Sequence, residues 1–332
     1  MKLPNLTSLL VAGLTLAASI YFVINWSTPR SDKLFNTYVA RLNRVLAINI
    51  TPPSRLDALV NFAWRDYQLA EPAVSLSLID TMGLRQCGLD QLVFEKNSSL
   101  GKHASADRQL LWHNQIILSL QHCLQNQAIS PALTNSLNAI LSAKTQAIHT
   151  YWNNYLVNEP SLRHLWTTPH TLNAHPVGAY RSMAGYLSSL QNIHQQFVNQ
   201  QALDSAMLLA ISQQLAKGPS ILALLQELHN ATLWLNTVSK ALKQRAFSCR
   251  NNQQTFTILS NVLHKVYMPS VQEYLAQLDQ SANVLIVQLA PLLEGKTVQT
   301  LLEQTQHAHH AFQQANKDHV KQWQRILNSC QG

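Results

Sequence analysis

Charge is scarce in this chain. Only 12% of its 332 residues are Asp, Glu, Lys or Arg, and the acids are the scarcer kind, 16 against 24 bases, for a formal net charge of +8. The few carboxylates are spread out. Glu159 precedes Pro160, and Asp90 and Glu95 straddle more than a helical turn, so no pair is placed for general acid/base work. The basic surplus is diffuse. It contains no Lys/Arg run and no basic stripe with interleaved aromatics, which argues against a nucleic-acid partner. Glycine is scarce too, with nine residues, where strand-rich folds spend more on turns. There is no Gly-rich phosphate loop, no His-Glu-x-x-His and no Cys-x-x-Cys, so no cofactor and no metal is expected.

Neutral amides fill the place of charge: roughly one residue in six is Asn or Gln. Gln is a fair helix former, so this bias does not signal disorder. Hydrophobic residues make up 46%, an ordinary share for a globular chain.

Leu6 to Trp26 carries no charge over 21 residues, ends in the aromatic edge Tyr21 and Trp26, and follows Lys2. It is long enough to cross a bilayer core. A cleaved signal peptide competes, because Ala17 and Ser19 can sit at small cleavage positions, but the apolar run continues past them and favours an uncleaved anchor. Arg30, Lys33, Arg41 and Arg44 follow the segment and oppose a simple positive-inside orientation. The short n-region with one Lys, and an even set of four cysteines compatible with disulfides, argue for export. The expectation is a bacterial inner-membrane tether, residues 1–28, with the bulk of the chain in the periplasm.

Residues 31–330 read as one all-α domain, a multi-helix bundle with long antiparallel C-terminal helices and a possible sub-division near 153–178. Ser31 can cap a helix through Leu34, Tyr38, Leu42 and Val45, ended by Thr51-Pro52-Pro53. Val74 to Glu95 is apolar and helical, interrupted at Gly83 and Gly88, and Asn97 to Ala104 reads as a loop. A helix opens at Ser105-Ala106-Asp107, and another at Ser130-Pro131 with Ser as N-cap and Pro at the first position. From Asn153 to Pro176 the chain looks irregular. Helices follow over 179–201, 203–217, 220–248, 253–293 (interrupted at Met268-Pro269) and 297–329.

Few residues suggest chemistry. Ser99-Leu100-Gly101-Lys102 matches the Ser-x-x-Lys nucleophile pattern, and Ser136-Leu137-Asn138 mimics a Ser-x-Asn element, but no Lys-Thr-Gly strand accompanies them. The expected role of Asn97, Ser98, Ser99 and Lys102 is structural, with a serine hydroxyl closing one helix and starting the return. Glu303, His307 and His310 share a predicted helix face, with His309 and His319 nearby; lacking a partner cluster, they are expected to be solvated. Trp64, Trp112, Trp152, Trp166, Trp234 and Trp323 are expected in the core. An up-down-up order of the last three helices brings Cys249 and Cys330 to one end as a disulfide; Cys87 and Cys123 are the second expected pair, with an axial offset of about 13 Å to absorb.

Two blocks stand out. One runs Leu84-Arg85-Gln86-Cys87-Gly88-Leu89, Gln91-Leu92 and Glu95-Lys96-Asn97-Ser98-Ser99-Leu100-Gly101-Lys102, continuing with Leu110-Leu111 and Cys123. The other is Tyr151-Trp152-Asn153 with Glu159-Pro160-Ser161-Leu162-Arg163 and Trp166. Together they resemble a bacterial family catalogued as domain of unknown function three-thousand-and-eighty, over roughly Leu34 to Trp166. The resemblance implies an envelope location and no assigned activity. Many members look like lipoproteins; here no acylatable Cys follows the apolar segment. The expected function is a membrane-tethered, extracytoplasmic binding or structural protein, with an envelope protein, lipid or cell-wall component as partner. The alternative is an envelope hydrolase or transferase using Ser99 and Lys102, or Glu95, in the Asn97–Lys102 loop.

Overall fold

The computed structural model describes residues 30–54, 63–73, 84–125, 129–166, 177–245, 253–293 and 295–330. The expected tether, residues 6–26, lies outside them. Among the described residues there is no strand, and no helix is long and apolar enough to cross a membrane.

Helix α1 (Arg30–Leu46) buries Phe35, Tyr38, Val39, Leu42 and Leu46, the stripe expected from spacings of three and four. Ser31 is inside the helix and buried, so it is not the cap; the Arg30 and Ser31 amides donate instead to Glu227, far along the chain. The helix ends before the predicted Thr51-Pro52-Pro53. Ala47 turns the chain with φ 50°, and the Asn43 amide bonds both the N–H and the C=O of Ile50. Short 3₁₀ turns follow at Trp64–Tyr67 and Leu84–Cys87.

Next come α2 (Leu89–Asn97), α3 (Ser99–Lys102), α4 (Ala106–Leu124) and α5 (Pro131–Gln146). Ser130 caps α5 as its Ser-Pro start predicts, accepting from the Leu133 amide at 3.3 Å. The stretch expected to be irregular from Asn153 is helical through α6 (Ile148–Asn158) and α7 (Pro160–Leu165). Tyr151 to Val157 are all buried, so α6 has no polar face and no amphipathic period to read.

The second half holds α8 (Val177–Val198), α9 (Ser205–Leu215), α10 (Ile221–Gln244), α11 (Gln253–Val262), α12 (Glu273–Leu293) and α13 (Gln299–Asn328). Pro269 does not end the helix there. A π-helix over Leu263–Gln272 joins α11 to α12, its wider turns carrying the chain past the missing N–H. Gly295 makes the turn into α13 at φ 68°.

Three cross-links fix the helix directions. Glu227 meets Arg30, Trp234 donates to Asp32, and the His319 ring lies between Tyr38 and Ser239, so α1 and α10 run parallel. Arg325 donates to the Leu242 and Lys243 carbonyls, which sets α13 parallel to α10, and His309 bonds Asp279, which sets α12 antiparallel to α13. One continuous core runs from Phe35 to Ile326, passing both sides of 153–178, and a smaller one joins α2, α4 and α5 around Leu84, Leu120 and Leu137.

Cys87 and Cys123 form a disulfide in that smaller core, with Cα atoms 5.3 Å apart. Two features absorb the expected offset. Gly88 stands at φ 66° and turns Cys87 off the axis of α2, and the expected loop is partly helical, α3 lying beside the first turns of α4 through the Gln109–Gly101 bond. For the other pair, Cys249 lies outside the described residues. Arg325 meets the last turn of α10, and each cysteine follows these elements by five residues. A non-reducing peptide map is expected to recover a linked Cys249–Cys330 peptide. The closed loop of about eighty residues would stabilise by about 4 kcal/mol in the chain-entropy model. Both cysteines recovered as free thiols would refute the pairing.

Candidate functional site

The Asn97–Lys102 segment forms the reversal between α2 and α4. Ser98 caps α3: its Oγ accepts from the Gly101 amide at 3.0 Å and donates to the Glu95 carbonyl at 2.7 Å. Gly101 is buried so closely that a Cβ would stand 2.2 Å from the Glu95 carbonyl oxygen. Ser99 is exposed, as is Lys102, and no hydrogen bond joins them. Glu95 is exposed and paired with Arg108. Ser98→Ala is therefore expected to cost about 1 kcal/mol, and Ser99→Ala nearly nothing. Gly101→Ala is expected to cost more than either, because the obstructing atoms are backbone. Urea unfolding of the three variants checks this order; a larger loss for Ser99→Ala than for Ser98→Ala would overturn it.

Beside this reversal is a cleft of about 480 Å³, between the extended strap of residues 68–73, the start of α4, and the helices α6 and α7. Gln68, Glu71, Lys102, Gln109, His113 and Tyr151 are among its lining residues. The strap is held by neighbouring amides on α6. Asn154 both donates to and accepts from the Leu69 backbone, at 2.9 and 2.8 Å, while Asn153 donates to the Tyr67 carbonyl and accepts from Thr297. Pro72 keeps Glu71 extended from the other side.

The strap thereby carries Glu71 to His113, with Oε2 3.3 Å from Nε2. His113 is 2% exposed and lies flat on Tyr151, ring centroids 3.6 Å apart. Lys96 reaches its ring nitrogens at 3.2–3.3 Å, and Lys144 donates to the Tyr151 hydroxyl at 3.4 Å. Burial drives the His113 imidazole down to about 4 despite its bond to Glu71, so the ring is neutral: Nε2–H donates to Glu71 and Nδ1 is left to accept from Lys96. Burial pushes the Glu71 carboxyl up, but its bond to His113 and the nearby Lys96 ammonium outweigh this and bring it down to about 2. Burial, then Lys96, lowers Lys144 to about 8; burial, then Glu71, raises the Tyr151 phenol. The cluster holds two ammonium groups and one carboxylate.

The sequence pattern found Lys96, Lys102 and Tyr151 only inside the two blocks that resemble the family, and missed Glu71, His113 and Lys144. His113 sits on the buried face of α4, where it reads as an ordinary core position. The C-terminal histidines are not brought together. His309 bonds Asp279 at 2.7 Å and His319 is buried between Tyr38 and Ser239, contrary to the expected solvation, while His307 and His310 are exposed. No group of three metal-ligating side chains occurs among the described residues. Trp112, Trp152, Trp166, Trp234 and Trp323 are buried and Trp64 is half-buried.

The family model described as protein of unknown function (DUF3080) matches residues 35–331. The chain belongs to that family. The match extends through the long C-terminal helices, well past the two blocks that carry the resemblance in the sequence. In this DUF3080 member the blocks reach the cleft through Lys102 and Leu110 from the first and Tyr151 and Pro160 from the second; the first also holds Lys96 and the Ser98 cap, and the second Asn153 and the buried Glu159, which caps α7 through Ser161. No curated protein and no solved structure matches the chain.

Proposed function

We propose that this chain is a membrane-tethered, extracytoplasmic helical binding protein, held at the bacterial inner membrane by residues 6–26, with the cleft beside Tyr151 as its ligand site. The cleft is the observation behind this reading: it is open and lined by amides, hydroxyls and two tyrosines. Support for export comes from the uncharged apolar segment behind a single Lys and from the Cys87–Cys123 disulfide, a bond that persists in oxidising compartments. Nothing in the geometry favours the hydrolase alternative, since Ser99 and Lys102 are exposed and unjoined.

The test is fractionation of cells making the full chain. The protein is expected to stay with membranes through carbonate extraction and to be digested by protease added to spheroplasts but not to intact cells. Removal of residues 1–28 is expected to release it. A mature N-terminus near Ile20 would refute the tether, and protection from protease in spheroplasts would refute the location.

A further inference from the structure

The charge around Tyr151 does not balance. Lys144 is 9% exposed, and its hydrogen bond is to a neutral phenol. Lys96 is half-buried against the neutral His113 ring. Among the described residues, Glu71 is the one carboxylate that acts on both. The other acids nearby are engaged: Glu95 pairs with Arg108, and Glu159 accepts from the amide and hydroxyl of Ser161. Buried ammonium groups ordinarily have a counter-charge, and among the described residues one is missing.

The hydrogen bonding has a gap at the same place. The Tyr151 oxygen accepts from Lys144, which leaves the phenol O–H as a donor, and no acceptor for it is found among the described residues. Tyr151 is 3% exposed and lines the cleft. A phenol that accepts from an ammonium is a polarised donor, and charge-assisted bonds from such groups are strong. Lys102 stands on the cleft lining as a third cation.

Building on the cleft as ligand site, we propose that the ligand is a small molecule bearing a compact oxyanion, a carboxylate or phosphate, which accepts the Tyr151 O–H backed by Lys144 and is steered in by Lys102. The anion supplies the missing counter-charge to Lys96 and Lys144. The rest of the cleft, far larger than one such group, presents Gln68, Gln109 and Asn158 for the remainder of the ligand.

The full chain in detergent is titrated with sodium phosphate and with sodium acetate, holding ionic strength constant with chloride, and binding is read from the unfolding temperature. At least one of the two anions is expected to stabilise the protein beyond chloride. Tyr151→Phe and Lys144→Met are expected to weaken the apparent affinity by about tenfold or more, Lys102→Met by less, and Lys317→Met, on the exposed face of α13, not at all. Response to phosphate alone assigns a phosphate ester, and response to acetate alone a carboxylic acid. Should Tyr151→Phe fail to fold, Lys144→Met and Lys102→Met decide. Stabilisation no greater than by chloride, or variants that bind as the wild type does, would overturn the proposal. Membrane retention and spheroplast proteolysis are measured without any anion, so the tethering reading stands or falls separately.

Discussion

Replacing Glu227 with alanine is expected to lower the unfolding free energy by about 3–5 kcal/mol, the scale of leaving buried donors unsatisfied at about 1–3 kcal/mol each. Glu227 is 1% exposed in α10 and receives the Arg30 amide at 3.1 Å, the Ser31 amide at 3.2 Å and the Tyr274 hydroxyl. The Arg30 guanidinium lies over the Tyr274 ring, 5.2 Å from its centroid. Two of these donors are the first amides of α1, which have no intrahelical acceptor, and a carboxylate at a helix N-terminus also meets the positive end of the macrodipole. Alanine leaves three donors unmatched, two of them, the Ser31 amide and the Tyr274 hydroxyl, buried. Glu227→Gln keeps one oxygen as acceptor and is expected to lose roughly half as much. Urea unfolding followed by circular dichroism, with hydrogen exchange at the first turn of α1, measures both variants. A loss below about 1 kcal/mol for alanine would show that α1 is held by its apolar face alone.

What the sequence made legible was whatever repeats along one element. In α13 the buried positions Leu302, Thr305, His309, Phe312, Ala315, His319, Trp323 and Ile326 recur every three or four residues, and the pattern needs no partner to be seen. Ser130-Pro131 announces α5 by local chemistry alone. The failures have physical causes. Helix α6 is buried on every side, so its period is hidden. The cap of α1 comes from a residue 196 positions away. The cleft cluster draws single residues from the strap, α2, α4, α5 and α6, and each reads on its own as an ordinary surface or core position. The two blocks that resemble the family reach the cleft only at Lys102, Leu110, Tyr151 and Pro160, while Asn153 acts on it from behind by holding the strap that carries Glu71.

The protein is expected to lose stability steeply between pH 6.5 and pH 4. Burial lowers the pKa of three histidines from 6.5: His319 to about 3, His113 to about 4 and His194 to about 4. His319 is 0% exposed between Tyr38 and Ser239, and His194 is stacked on Trp152, so neither has room for a hydrated imidazolium. The unfolded chain binds protons at these sites as soon as pH falls below 6.5, while the folded chain does not, so protonation favours unfolding. Each unit of difference is worth about 1.4 kcal/mol, so a single one of these rings can remove about 3 kcal/mol by pH 4. Glu71 adds to the same trend at the acid end, since its carboxylate is favoured in the fold and its contribution is lost as pH falls from 4.5 toward 2. Glu227 and Glu159 oppose it. Burial raises both above 4.5, so the folded state takes up their protons first and gains stability as pH falls toward 4.5. The histidines are three against two, act from 6.5 downward and extend below the carboxyl window, which sets the net direction. Unfolding temperatures measured across this range are expected to fall at each step, and His319→Gln, which removes one titrating ring, is expected to flatten the decline even if it lowers stability at pH 7. Proton NMR of the histidine rings is expected to show three that do not titrate above pH 5. An unfolding temperature that holds level from pH 7 to pH 4.5 would mean that these rings reach solvent in the folded protein.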